Sequence, residues 1–391
     1  MLKSRIVWAL CIVGMLAFMV FSDEPVALVL FIVTVAVPIA LIGINQIAAR
    51  KLSVVVELPQ TGEKNRQFVG RIRAENRQAL PLAPIRCQLS CKNILTNEKM
   101  TPEVMFSLGS KAKDDVLFGL ESRYCGCVCV SVATLSVYDI FGLVACNVPC
   151  ESMEETAILP TTFSPHLTVM THVAKDVEAD EYSQEKAGFD PSETFAIREY
   201  RAGDSLHRIH WKLSGKFDEI VIREPSLPVR HSFLILLETS FLQETPPKAE
   251  VCDALTEIMM SLCQKMIEEQ ITYEVGWQDN ENGGFFRSRI VNMQDLTGVA
   301  GKLLRVGYQS GGTDVLSSFE EAYGENKFEH VVYVSSFVPA YFEEFSGESQ
   351  ATGIICTQDA EAAEGMSDSS NRSLYFCSPE NYEKDLFALT I

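Results

Sequence analysis

Two uninterrupted apolar runs, Ile6 to Phe21 and Val26 to Ile44, constrain the fold more than any other feature of this chain. Only Ser22-Asp23-Glu24-Pro25 separates them. A membrane-spanning helix needs about 20 apolar residues and tolerates about 17, so the first run is short and the second comfortable. Residues 1–50 are therefore expected to form a transmembrane hairpin, lying in the lipid bilayer through residues 6–44. Lys3 and Arg5 precede the first run, Arg50 and Lys51 follow the second, and the connecting loop carries only acidic charge. The positive-inside rule then expects both termini and the soluble domains in the cytoplasm, with one tiny loop outside a multi-pass protein of the cell membrane. A secretory signal peptide fits the first run less well. No small-x-small cleavage site sits cleanly before Asp23, and a second span follows at once.

Twelve cysteines, many inside apolar runs such as Leu89-Ser90-Cys91 and Ile354-Ile355-Cys356, agree with a reducing compartment. Cys125, Cys127 and Cys129 alternate along a strand, but no CxxC pair completes a zinc site, so core packing is expected of them. A length of 391 residues leaves room for two soluble domains after the hairpin. The formal charge of −19 excludes nucleic acid as a partner, because phosphates demand a basic face. It also gives no general attraction to anionic lipid, so attachment is left to the hairpin.

Residues 51–150 read as short strands broken by Pro59, Gly62, Pro81, Pro84 and Gly109. The segments Leu52 to Leu58, Phe68 to Ala74, Ile85 to Leu89, Val104 to Leu108, Val116 to Leu120 and Val128 to Val137 predict an antiparallel β-sandwich, immunoglobulin-like in its spacing. Residues 151–193 read as an acidic linker, with Ile158-Leu159-Pro160 available for one further strand. Residues 227–391 alternate strands with helices, beginning with the apolar His231 to Glu238 and the helix Ala249 to Gln270. That alternation predicts a mainly parallel α/β (Rossmann-like) sheet covered on both faces, whose ligands sit at the carboxyl ends of its strands.

Between the linker and the α/β domain, residues 194–226 hold a dense polar segment, FAIREYRAGDSLHRIHWKLSGKFDEIVIRE from Phe195 to Glu224. Thr194 to Tyr200 alternates like a strand, and Ala202-Gly203-Asp204 is a turn. Asp204 or Ser205 then caps a short helix with Leu206, Ile209 and Leu213 on one face, Gly215 suits its end, and Glu219 to Arg223 reads as a second strand. Arg198, Tyr200, Gly203, Asp204, Ile209, His210, Trp211, Lys212, Ser214, Arg223 and Glu224 fall in an order that resembles the signature of a bacterial family called domain of unknown function number 58. The family's usual proline before the glycine is Ala202 here. The resemblance implies a membrane hairpin, a β-rich segment, this motif and a domain similar to von Willebrand factor A. It also implies a MoxR-type AAA+ ATPase and a transglutaminase-like membrane protein as partners. Tyr138 to Leu143 resembles the family's Asp-x-Phe-Gly-Leu turn, for which an aromatic-anchored corner is the preferred role.

Three readings of the signature stay open. In the enzyme reading, His207 and His210 with Asp204 form a metal or acid–base set, giving a metal-dependent hydrolase. In the anion-binding reading, Arg198, Arg201, Arg208 and Lys212 supply donors at a helix start. The preferred reading is a structural junction, with Trp211 buried between domains and Arg198 and Arg223 paired with Glu199, Asp204 or Glu224. The resemblance adds one further site. Von Willebrand A domains hold a divalent ion with Asp-x-Ser-x-Ser, a loop threonine and a later aspartate. This chain offers Glu238-Thr239-Ser240-Phe241-Leu242, Gly311-Gly312-Thr313-Asp314 and Val334-Ser335-Ser336. Glu238, Ser240, Thr313 and Asp314 are thus candidate ligands for Mg²⁺ or Mn²⁺, in a degenerate set where Leu242 has no oxygen and Ser335 or Ser336 replaces a carboxylate. A metal-free surface is the favoured outcome. A membrane-anchored scaffold, not a catalyst and without a cofactor, is the function expected.

Overall fold

The structure, a computed structural model, describes residues 2–22, 25–49, 51–139, 141–168, 182–201, 204–217, 219–228, 233–241, 247–279, 284–310, 313–324, 328, 330–339, 342, 350–358 and 372–391, with backbone alone for 2, 48, 83, 182–195, 206, 217, 225–228 and 309–310. The apolar runs form α1 (Leu2–Phe21) and α2 (Pro25–Ala49), both long and apolar enough to cross a membrane. At about 1.5 Å per residue they extend about 30 and 37 Å, matching a hydrocarbon core of about 30 Å.

Ten strands follow: β1 (Leu52–Glu57), β2 (Thr61–Glu63), β3 (Gln67–Asn76), β4 (Leu82–Asn93), β5 (Lys99–Met100), β6 (Glu103–Leu108), β7 (Lys113–Glu121), β8 (Gly126–Tyr138), β9 (Ala145–Val148) and β10 (Met153–Leu159). They build a three-stranded sheet, β1-β3-β7, and a larger one, β2-β10-β8-β4-β5, with β6 on β4 and β9 on β8. Strict alternation explains the layering, because Val54, Val56, Ile72 and Ala74 turn inward while Val55, Arg71 and Arg73 turn out. The inward set meets Ile85, Cys87, Leu89, Val130 and Val137 of the second sheet in one core.

The stretch expected as linker differs from that expectation. β10 lies inside the second sheet, antiparallel to β8 and parallel to β2, with Ile158 fully buried. The strand expected from Ile158-Leu159-Pro160 begins earlier, at Met153: Glu154 is exposed and Glu155 half-buried, and the buried positions are Thr156 and Ile158. Next, β11 (His166–Thr168) pairs with the C-terminal β22 (Ala388–Thr390), so the chain reaches the α/β unit before the signature begins.

The signature lies between two antiparallel strands, β12 (Tyr182–Glu199) and β13 (Val221–Pro228). After it come β14 (Phe233–Leu237), β15 (Ser240–Phe241), α4 (Ala249–Glu268), β16 (Tyr273–Asp279), β17 (Gly284–Ile290), α5 (Met293–Leu303), β18 (Gln309–Ser310), α6 (Val315–Tyr323), β19 (His330–Ser335), β20 (Gln350–Cys356) and β21 (Arg372–Cys377). For these, α3 is kept for the signature helix (Trp211–Phe217). The six-stranded sheet runs β17-β16-β14-β19-β20-β21 and is parallel except for β17. Burial of all five residues of β14 follows from cover on both faces: Ile235 and Leu237 pack toward α4 and α5, Leu234 and Leu236 toward α6. α5 ends at Leu303, with Leu304 as its C-terminal cap.

The α/β unit is tied to the β unit through buried polar groups. Lys64, in the β2–β3 turn, reaches across to Asp253 (2.5 Å) and Glu257 (2.9 Å) on α4. The amide of Cys125 donates to Asp253 (2.7 Å), that of Thr161 to Glu257 (2.7 Å), and that of Cys127 to the Leu304 carbonyl (2.8 Å). Leu95, Cys125 and Leu304 close a small apolar cluster beside them.

One buried base gives the α/β unit a pH dependence. His330 stacks on Phe233 and its Nε2 lies 2.9 Å from Thr352 Oγ1. Burial holds its pKa down at about 4, against 6.5. Between those values the unfolded chain takes up a proton that the folded chain refuses, so stability rises with pH through this window. Acidification from pH 7 to 4 is expected to cost about 3 kcal/mol through this residue, at 1.36 kcal/mol per unit. Denaturant unfolding at several pH values checks it. The same loss in His330→Gln would show that another group titrates.

Candidate functional site

Two groups of residues deserve the name of site, and the first is the signature. Arg198, at the end of β12, holds Asp204 with both terminal nitrogens (2.8 and 2.9 Å) and Glu224 of β13 through Nε (2.6 Å). The backbone amide of Arg201 also donates to Asp204 (2.8 Å). Two parallel bonds from a planar guanidinium fix the turn in angle as well as distance. Arg198 above all, and then the Arg201 amide, hold the Asp204 carboxyl down at about 2. Both Asp204 and Glu224 are thereby spent on the brace. Gly203 lies outside the described residues.

Beyond the turn the chain makes a short 3-10 turn, Leu206–Arg208, and then α3, in place of the single helix expected. Ile209 bridges Ile222 of β13, and both are buried. That bridge interrupts the helix, so His207 and His210 do not share a helical face. Gly215, expected at the helix end, lies inside α3. Ser214 accepts from the Val221 amide (3.0 Å) and donates to the His210 carbonyl (3.2 Å), fastening α3 to β13. Tyr200 is tied by its backbone, its amide donating to Ile220 (2.8 Å). Arg223 Nη2 lies 2.8 Å from His210 Nε2. An arginine only donates, so Nε2 accepts and the ring proton belongs on Nδ1. The 3.4 Å approach of the Leu213 amide to Nδ1 is then not a hydrogen bond.

The structure divides the junction reading: Arg198 pairs with Asp204 and Glu224 as expected, but Arg223 meets His210 and Trp211 is not covered. Its ring is 70% exposed, not buried between domains. Lys212 beside it and Arg201, His207 and Arg208 nearby in sequence are exposed too. Arg201, Arg208 and Lys212 have no side-chain ion pair among the described residues. The segment therefore divides its charges: Arg198, Asp204 and Glu224 are spent internally, while Arg201, Arg208 and Lys212 are exposed in the same stretch of chain as an open indole. Trp211→Ala is expected to change stability by less than about 0.5 kcal/mol, as surface substitutions do, in denaturant unfolding.

The second group sits where β14 and β19 end side by side, the point at which the sheet order reverses. Glu238, directly after β14, is 1% exposed. Its Oε1 accepts from the amide (2.9 Å) and hydroxyl (2.6 Å) of Ser240, and its Oε2 from the Val315 amide (2.9 Å) and the Tyr333 hydroxyl (3.0 Å). Burial, outweighing these donors, raises the Glu238 pKa. Ser240 also approaches the Thr313 carbonyl (3.3 Å), so Glu238, Ser240 and Thr313 do come together. Asp314 does not join them: its carboxylate caps α6, accepting from the amide and hydroxyl of Ser317 (both 2.9 Å). Ser335 is occupied by the Phe337 amide (3.1 Å). Leu242, Gly311 and Gly312 lie outside the described residues. Among the described residues, no three His, Cys, Asp or Glu side chains are grouped to hold a metal ion. Tyr333 escaped sequence reasoning, its only signal being a hydroxyl inside the apolar run His330 to Ser335.

No family model matches the chain, and no curated protein matches it. Among solved structures it is similar to a CARDB domain from Pyrococcus furiosus crystallised with di-metal ions, at 13% identity over 28% of this chain and 87% of that one, with a TM-score of 0.21. It is similar at the same level to a cohesin module of a Clostridium perfringens family 33 glycoside hydrolase (10% identity, 28% and 97% covered, TM-score 0.22). A superoxide reductase from Ignicoccus hospitalis gives 15% identity, 27% and 80% covered, and a TM-score of 0.20. Likeness this slight supports no functional argument.

Proposed function

We propose that this chain is a membrane-anchored interaction protein of the domain-of-unknown-function-58 kind, with its soluble units in the cytoplasm. In this reading the β unit is an immunoglobulin-like sandwich and the α/β unit a von Willebrand A-like domain. Strand order 3-2-1-4-5-6 with one antiparallel edge strand supports the second assignment. The observation that carries the function is the exposed Trp211 in a segment whose Arg201, Arg208 and Lys212 are also exposed and make no side-chain ion pair among the described residues. Tryptophan and arginine dominate the energetic centres of protein interfaces, and exposed cations on a chain of charge −19 suit an acidic partner surface. The partner proposed is a MoxR-type AAA+ ATPase, acting with a transglutaminase-like membrane protein in envelope or complex assembly. A metal-dependent hydrolase is disfavoured, since Asp204 is engaged by Arg198 and His210 by Arg223.

The test is binding of such an ATPase to the detergent-solubilised full chain. Trp211→Ala is expected to weaken it by about 2 kcal/mol, roughly thirtyfold, as a central interface residue does. The variant's unfolding curve should match the parent's. Unchanged affinity in Trp211→Ala and Arg208→Ala together would sink the docking face.

A further inference from the structure

We propose that the turn at Phe141 is a foot that seats the β unit in the interfacial zone of the bilayer; this rests on α1 and α2 spanning the membrane. The argument begins with length. The uncharged run of α1, Ile6 to Phe21, is 16 residues long, about 24 Å of helix, against a hydrocarbon core of about 30 Å. With Phe21 at the far boundary, the near boundary lies at or outside Ile6, and Lys3 and Arg5 are left at the headgroups. Trp8, two residues past Ile6, is then about 3 Å along the axis from it and sits at the near interface.

Phe141 is held at the same depth. Its ring centroid lies 4.9 Å from that of Trp8. Arg5 Nε donates to the Leu143 carbonyl (2.8 Å), and a Cβ at Gly142 would lie 3.6 Å from Ser4 Oγ. The second helix is tied at its own near end, where Asn45 Nδ2 donates to the Val137 carbonyl (3.2 Å). The turn therefore touches α1, and the end of β8 that leads into it touches α2, where the two helices leave the bilayer.

The turn is also prebuilt. Asp139 is buried and accepts from the amides of Phe141 (3.1 Å) and Val144 (2.6 Å). Gly142 has φ +65°, a conformation that costs glycine little. This scaffold presents a phenyl ring that remains 40% exposed, with Lys3 and Lys51 exposed close by in sequence to either helix end. An exposed aromatic ring on a turn bonded by Arg5 at a helix exit matches the composition of a headgroup–acyl boundary. The chain's overall acidity does not oppose this, because the contact is local and largely apolar. The occupant is lipid, and the β unit is held against the membrane instead of hanging from a tether.

The test uses the full chain reconstituted in phosphatidylethanolamine–phosphatidylglycerol vesicles, with benzoylphenylalanine replacing one residue at a time. Phe18 of α1 (50% exposed) is the lipid control, and Leu117 on the outer face of β7 (63% exposed) the aqueous one. Lipid adducts at 141 and 18, with none at 117, are the expected result. Adducts at 18 but none at 141, or a crosslink from 141 to a second protein copy, overturns the foot alone. No adduct at 18 overturns the spanning helices themselves.

Discussion

Lys64→Met is expected to destabilise the folded chain by about 3–5 kcal/mol, the range for removing one partner of a buried ion pair. The side chains of Asp253 and Glu257 lie one turn apart on α4, 8% and 0% exposed, and Lys64 is the cation placed between them. Without it two like charges share a site closed to water. The Cys125 and Thr161 amides and the Tyr382 hydroxyl bond to these carboxylates, but none carries a compensating charge. Burial works against the Lys64 ammonium, yet its bonds to Asp253 and Glu257 outweigh that and raise its pKa. Burial first, and Glu257 second, raise that of Asp253.

The pH sign of this deficit follows from those directions. Once Lys64 is gone, the folded chain relieves the repulsion by binding a proton, which the unfolded chain releases in the ordinary carboxylate range. Stability of the variant then falls as pH rises, and its deficit against the parent shrinks on acidification. Denaturant unfolding of both proteins at neutral and mildly acidic pH measures it. Adding Glu257→Gln to Lys64→Met should recover part of the loss, because the pair is coupled. A deficit below about 1 kcal/mol at neutral pH would show that water or another cation reaches the carboxylates.

How much of this was legible in the chain can be judged residue by residue. The two apolar helices and many of the strands were readable because each is a local pattern: Phe233–Leu237 is apolar throughout, and in β3 Ile72 and Ala74 alternate with Arg71, Arg73 and Glu75. β10 was legible only at its end, Ile158-Leu159, because Glu154 and Glu155 dominate its first half and only Thr156 and Ile158 are buried. The Arg198–Asp204–Glu224 brace was anticipated, since its members are close in the chain and opposite in sign. Trp211 was not. Whether a lone indole is covered depends on what lies above it, and nothing in its neighbours' identity decides that. Lys64 and Asp253 are 189 residues apart, and no periodicity links a turn in one unit to a helix in another.

Glu238→Ala is expected to lower stability by about 3–5 kcal/mol, because it orphans several buried donors at about 1–3 kcal/mol each. The donors are the amides of Ser240 and Val315 and the hydroxyl of Tyr333; the Ser240 hydroxyl has an alternative, the Thr313 carbonyl at 3.3 Å. A carboxylate offers about four lone-pair sites, and protein donors take four here. Mg²⁺ would have to displace at least one of them, while Asp314 would have to abandon its cap on α6. The energetics therefore favour Glu238 as a brace that pins β14, α6 and β19 together at the end of the sheet. If so, excess Mg²⁺ or Mn²⁺ leaves the parent's unfolding temperature unchanged, and Glu238→Ala lowers it equally with and without the ion. An ion-dependent rise in the parent that disappears in Glu238→Ala and in Ser240→Ala would instead mean that the four donors yield to a cation, and that the degenerate ligand set still works.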